Sequence, residues 1–370
     1  MKSLRWGLCL LLFQVGCGSS DGALDQGVAP EDVAQADATA DRRGSHEAQR
    51  PPDAPGPDQR RPDLAPPKTT VTVAIAADIA EAGRTAHARA LAAVVSGHSP
   101  AVTAVLLGGD NARYNGILSF PLNELQYYNT YYKPANEANW GQFDAIAFPQ
   151  SGNHEYTFPE STAQGYFDYF KPRMGAIKTS PAYHGYIDVV GKGYYSFDIN
   201  GWHFVSLNSN VDLAAGGAQE VWLKNDLAQN KQKPIVAIWH APRYTCGGDH
   251  TDAIEMQPFW AALYDAGADF VFAGHNHFYQ RYKPLDKATP QAAVDTANGL
   301  TGIVVGSCGV STYAVCDPPD PRIEKQIGGD AGIGVFFLAI VSDGSYSFEY
   351  RLENGSVFDS GSGVSHHHQP

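Results

Sequence analysis

The residues best suited to chemistry in this chain lie in Gly274-His275-Asn276-His277, where two imidazoles stand one residue apart after the apolar run Asp269 to Phe272. On a helix, residues two apart point in different directions, whereas at a strand end both rings reach one small volume. Taken alone, a His-x-His pair is as easily two ordinary loop histidines. Four further strand-like segments alter that balance, because each ends in residues able to bind a metal. Val71 to Ala76 runs into Asp78, and Thr103 to Leu107 passes Gly108-Gly109 into Asp110. Ala145 to Phe148 leads through Pro149 and Gly152 into Asn153-His154-Glu155, and Ile235 to Trp239 runs into His240. Two aspartates, one asparagine and three histidines make a nitrogen and oxygen donor set without thiolate. Zinc, iron and manganese accept such ligands, and a shared carboxylate is the usual way to hold two cations together. The chemistry this suits is hydrolysis, since metals acidify a bound water and neutralise charge on a phosphoryl group.

The elements that must position these residues follow from hydrophobic periodicity. An Ala-rich helical pattern from Arg84 to Val95 lies between the first two strands and suits a βαβ crossover. A second helix is expected over Ala218 to Gln229, with Trp222, Leu223 and Leu227 inward. Ligands in such sheets gather beyond the carboxyl ends of strands. Further strands are expected around Tyr194 to Ile199, His203 to Asn208, Gly302 to Val305, Gly332 to Val341 and Tyr346 to Leu352. They lack helix-sized spacers, which assigns them to a second, largely antiparallel sheet. The fold class expected is α/β (α+β), a two-sheet β sandwich flanked by helices with the site at the C-terminal ends of strands.

The chain has 370 residues, ample for a core at 43% hydrophobic content, and its formal charge of −13 without a dense basic run argues against nucleic acid as the main partner. Residues 1–17 read as an export signal: Lys2 and Arg5, an apolar run from Leu8 to Phe13, then Val15-Gly16 before Cys17. Cys17 is a candidate lipidated N-terminus, which would make a lipid anchor the only membrane contact of an exported surface or secreted protein. Residues 18–68 are rich in Asp, Ala and Pro and poor in large apolar side chains, so they read as a disordered stalk. The folded domain is expected over 69–362, followed by a flexible tail over 363–370. In an oxidising compartment Cys308 and Cys316 are the expected disulfide by proximity in sequence, with Cys246 left over, although nothing in the sequence fixes the connectivity.

Asp78-Ile79-Ala80, Gly109-Asp110-Asn111, Gly152-Asn153-His154-Glu155, His240-Ala241-Pro242 and Gly274-His275-Asn276-His277 resemble, in order and spacing, the five motifs of calcineurin-like metallophosphoesterases. Within that superfamily the chain looks most like bacterial relatives of purple acid phosphatases, with supporting likeness at Asn208-Ser209-Asn210 and from Met256 to Asp269. The resemblance implies a dinuclear hydrolase of phosphate monoesters. Asp110 would bridge the ions, Asp78 and His277 would complete one position, and Asn153, His240 and His275 the other. Asn153 and His154 would meet the substrate phosphate, with His154 the catalytic histidine. His250 stands where the family keeps a further active-site histidine; read from its own surroundings it is equally a loop residue paired with Asp249.

Two positions depart from the family pattern. Ala80 stands where the wider superfamily often has histidine, and Arg113 where purple acid phosphatases place the tyrosine whose phenolate binds ferric iron. Tyr114 is the next residue and would reach the metal through a one-residue bulge. With Tyr114 as ligand the resemblance implies iron paired with zinc, manganese or iron; without it, two divalent ions, leaving Arg113 to face the phosphate as a bidentate donor. The partners implied are small phosphate esters. Two rivals accompany this reading, a phosphodiesterase on the same scaffold and a surface binding protein with impaired catalysis. The aromatic insertion of Trp140, Tyr166, Phe167, Tyr169 and Phe170 suits a substrate pocket or plain packing equally. His87, His98, His184 and His203 read as structural or solvated.

Overall fold

A computed structural model describes residues 67–113, 124–157 and 162–368. The expected signal, nearly all of the expected stalk, and Tyr114 lie outside the described residues. Two large sheets make the frame. The first has six strands in the spatial order Val357–Val364, Ser345–Leu352, Gly334–Val341, Thr70–Ala76, Val102–Gly108, Ala147–Gln150. The second has eight, in the order Ile323–Ile327, Tyr279–Tyr282, Thr301–Val305, Phe270–Ala273, Ile235–Ile238, Trp202–Ser206, Tyr195–Ile199, His184–Gly185.

Alternation along the strands explains why both sheets are covered on two faces. In the Ile235–Ile238 strand Val236 and Ile238 enter the core between the sheets, while Ile235 and Ala237 face a second cluster on the outer side. That outer cluster is closed by Trp222, Leu223 and Leu227 of the Ala218–Gln229 helix and by Phe259, Trp260 and Leu263 of the Gln257–Asp265 helix. Aromatic pairs tie the sheets together: Phe148 stacks on Phe197 at 3.8 Å and Tyr279 on Tyr350 at 4.0 Å. On the Thr85–Ser96 helix Ala88, Leu91, Ala92 and Val95 form one buried stripe at helical spacing, and the helix ends where the Gly97 N–H closes on the Ala93 carbonyl.

Three sequence expectations are corrected. The strands carrying candidate ligands are divided between the sheets, three in the first and two in the second; the first sheet is parallel at one side and antiparallel at the other, and the second has a parallel centre with antiparallel edges, so the antiparallel strands do not form a sheet of their own. The expected flexible tail is largely structured: the last strand runs to Val364, Ser365 is buried, and the His366 N–H donates to Asp269 Oδ1 at 2.9 Å. The disulfide joins Cys246 to Cys316, and Cys308 is a buried free thiol. The reason is strand-like pairing of the two segments, with Gly247 bridging Val315 and the Gly248 N–H on the Ala314 carbonyl, which brings the two Cα atoms within 5.3 Å.

The aromatic insertion is core. Trp140, Tyr166 and Phe170 are buried in the central cluster, and Tyr128 stacks on Tyr169 at 4.6 Å. His203 sits between Asp198 and Asp226, each 2.8 Å from a ring nitrogen, as a structural histidine.

Candidate metal centre

The site forms where strand ends from both sheets meet. The first two loops are zipped by backbone bonds: Asp78, Ile79 and Ala80 N–H groups donate in turn to the carbonyls of Gly109, Asp110 and Asn111. The loops after Ile235–Ile238 and Phe270–Ala273 join through the Gly274 N–H on the His240 carbonyl, and the His275 N–H donates to Asp78 Oδ2 at 2.8 Å. Asp78, Asp110 and His275 all have positive φ, at 57°, 49° and 70°. Non-glycine residues in that region are strained, and such strain gathers at functional sites. Close approach also explains two glycines: a Cβ on Gly152 would lie 2.1 Å from Asp110 Oδ1, and one on Gly109, whose φ is +95°, would lie 2.6 Å from His240 Nδ1.

Asp78, Asp110 and His240 are buried and offer donor atoms that all lie within 4.8 Å of one another. His240 Nδ1 donates to the Gly108 carbonyl at 2.9 Å, which turns Nε2 toward Asn153 Oδ1 at 3.0 Å and Asp110 Oδ1 at 3.4 Å. With the ring neutral, three acceptor atoms converge there, so the cluster calls for a positive charge among them, a proton on Nε2 or a cation in its place. Asp78 Oδ1 is 3.3 Å from His277 Nε2 and has no hydrogen-bond partner among the described residues. A buried carboxylate oxygen left so is costly unless a cation or proton meets it. This donor set therefore fits metal ions.

The electrostatics say the same. Burial alone would lower the His240 pKa, but the Asp110 and Asp78 carboxylates overcome it and raise it to about 9. Asp110 is held far below the usual carboxylate range: burial opposes ionisation, and His240, His154 and Arg113 outweigh it. Burial, then the neighbouring His240 and His250, push His275 down to about 3, leaving it a neutral ring with a lone pair to offer.

His154 lies at the open side, 29% exposed, with its N–H on Asp110 Oδ1 at 2.9 Å and Nε2 3.8 Å from Asp110 Oδ2. Burial lowers its pKa. His250 stacks on His275 with ring centres 3.7 Å apart and is partly exposed, so it borders the site. Asp78, Asp110, Asn153, His154, His240, His250, His275 and His277 are thus brought together, while Tyr114 lies outside the described residues. Arg113 is buried and donates to His277 Nε2 at 2.7 Å, so its guanidinium is engaged with a candidate ligand.

A family model for calcineurin-like phosphoesterases matches residues 71–279, more than half of the chain. The chain belongs to the calcineurin-like phosphoesterase family. Purple acid phosphatase 22 of Arabidopsis thaliana is 29% identical over 221 residues, 54% of this chain and 47% of that one. Probable purple acid phosphatase 20 of the same plant is 38% identical over 96 residues, 24% of this chain and 22% of that one. An uncharacterised protein of Mycobacterium tuberculosis is 28% identical over 226 residues, 52% of this chain and 40% of that one. The chain spans less than half the length of these relatives. The fold is shared with a purple acid phosphatase from yellow lupin (Lupinus luteus) seeds, at a TM-score of 0.56 and 18% identity, covering 80% of this chain and 53% of that one.

Within this calcineurin-like phosphoesterase, one supporting residue carried no role in the sequence reading. Glu155, 1% exposed, accepts from the N–H groups of Asp110 and Asn111 at 2.9 Å each, from the Gly152 N–H at 2.6 Å and from Tyr128 Oη at 2.9 Å. Burial, then the Asp110 charge, raises its pKa to about 7 against the pull of those amides. An acid directly after the Asn-His pair is the signal that would have pointed to it.

Proposed function

We propose that the chain is a metal-dependent phosphohydrolase that cleaves phosphate monoesters at a centre of two cation positions. The first position is formed by Asp78, Asp110 and His277, the second by Asp110, Asn153, His240 and His275. The observation that carries this reading is the convergence of Asp78, Asp110 and His240 donor atoms within 4.8 Å at the meeting of two sheets. Bound cations would supply an acidified water and charge neutralisation on the phosphoryl oxygens. The chain's own groups do the rest. Gly108 fixes the His240 tautomer, Asp110 is ionised by its neighbours, and burial keeps His275 neutral. His154, at the open side with Nε2 3.8 Å from Asp110 Oδ2, would meet the leaving oxygen and, in its protonated form, donate a proton to it. His250, on the outer face of His275, would contact the ester group.

Paired assays with 4-nitrophenyl phosphate and bis(4-nitrophenyl) phosphate, in the presence of manganese, zinc or iron, test the monoester assignment. Faster turnover of the monoester is expected, and preference for the diester would replace this reading with a phosphodiesterase. Export is part of the proposal. The Cys246–Cys316 disulfide suits an oxidising compartment, and labelling with palmitate would test lipidation at Cys17.

A further inference from the structure

This inference rests on the two-cation reading and concerns how the first position is filled. Arg113 is 8% exposed and its Nη1 lies 2.7 Å from His277 Nε2. A guanidinium has N–H donors and no lone pair, so the contact has one sense only: Arg113 donates and His277 Nε2 accepts. That same nitrogen faces Asp78 Oδ1 at 3.3 Å, so its lone pair is the one a cation between Asp78 and His277 would need. One lone pair cannot serve both. Among the described residues no guanidinium touches the second position, where His240 Nε2 faces the acceptor oxygens of Asn153 and Asp110.

Two observations make Arg113 a displaceable group. Asp78 Oδ1 stays without a hydrogen-bond partner among the described residues while Arg113 is on His277, so the guanidinium does not meet the full demand of the first position. Glu81, 4% exposed, is 3.5 Å from Arg113 Nη2, longer than a good ion pair, and a short shift would close it. Glu81 is held for this by the Ser311 N–H at 2.7 Å and by the two-residue ladder that sets Ala80–Glu81 beside Ala112–Arg113.

We infer that Arg113 plugs the first cation position. The second position loads first, and the first loads only as Arg113 leaves His277 for Glu81, so the two ions bind in separate steps. The test is equilibrium dialysis of chelator-stripped full-length protein against graded free Zn²⁺, with metal per chain read by plasma mass spectrometry. The wild type should pass through a plateau at one ion before reaching two. Arg113→Met, similar in length and without donors, should tighten the second step by about 10- to 100-fold, the scale on which groups outside the ligand set alter metal affinity, and leave the first in place. Glu81→Gln should weaken the second step. Should Arg113→Met not fold, Mn²⁺ titration of the wild type followed by electron paramagnetic resonance gives the same answer: an isolated-ion spectrum at the first equivalent, a spin-coupled pair only at excess. Two ions filling together in the wild type, or an unmoved second step in folded Arg113→Met, would overturn the plug. No bound ion at all would instead overturn the two-cation reading beneath it.

Discussion

Asp78, Asp110 and His275 each hold a left-handed backbone that costs about 1–3 kcal/mol, and the surrounding bonds must over-determine it. Glu155 does this for Asp110 by accepting both the Asp110 and Asn111 amides. Glu155→Ala should therefore lower unfolding free energy by about 3 kcal/mol or more in urea titration, since several buried N–H groups lose their acceptor at about 1–3 kcal/mol each. The same variant should bind metal more weakly. His154→Ala should leave metal content unchanged and lower kcat by about 10²- to 10⁴-fold with 4-nitrophenyl phosphate, the range for a lost general acid. The ligand candidates were legible as residue types at strand ends. The role of Glu155 was not, because its partners at positions 110, 111 and 128 come from other segments and meet it only in the folded chain. Arg113 was legible as a departure from the family pattern, but its direction depends on which loop brings a lone pair within reach.

Among the elements, the hairpin of Tyr195–Ile199 and Trp202–Ser206 is tied to the Ala218–Gln229 helix by His203, whose two ring nitrogens face Asp198 and Asp226. Only the imidazolium can donate to both. Burial would lower the His203 pKa, yet the bonds to Asp198 and Asp226 prevail and raise it; both aspartates are lowered, their own burial outweighed by His203. A raised histidine pKa stabilises fully below its unfolded value of about 6.5, and that contribution fades as pH climbs through the folded value. The lowered aspartates act oppositely, stabilising above about pH 4 and losing effect as pH falls below it. Urea midpoints should accordingly decline from pH 6 to pH 9, and His203→Gln should flatten that decline; equal slopes in the two proteins would refute the account. Helix bounds were legible here because a buried stripe recurs at helical spacing. The division of strands between sheets was not, since alternation shows which faces are covered and says nothing of which neighbour covers them.

At the scale of the whole molecule, both sheets contribute strand ends to one centre, so sheet packing and site geometry are coupled. The Cys246–Cys316 disulfide closes a chain segment of 70 residues that carries the His275 and His277 loop. By chain entropy a loop of that length gives about 4 kcal/mol of stability, so reduction with dithiothreitol should lower the thermal midpoint, and the Cys246→Ser variant should no longer respond to it. Proximity in sequence misplaced this bond because strand pairing, invisible in spacing, decides which cysteines meet. The order of the five motifs was legible in full, since each sits directly after an apolar strand. The measurement closest to the central claim is phosphate release from 4-nitrophenyl phosphate before chelator stripping, after it, and after reloading with Mn²⁺ or Zn²⁺, in wild type and Asp110→Ala. The account predicts activity that vanishes on stripping, returns on reloading, and is lower in Asp110→Ala by about 10³-fold or more, beyond the ~10²–10³ that one transition-state hydrogen bond supplies. A rate that survives stripping, or an Asp110→Ala protein as fast as the wild type, would contradict it.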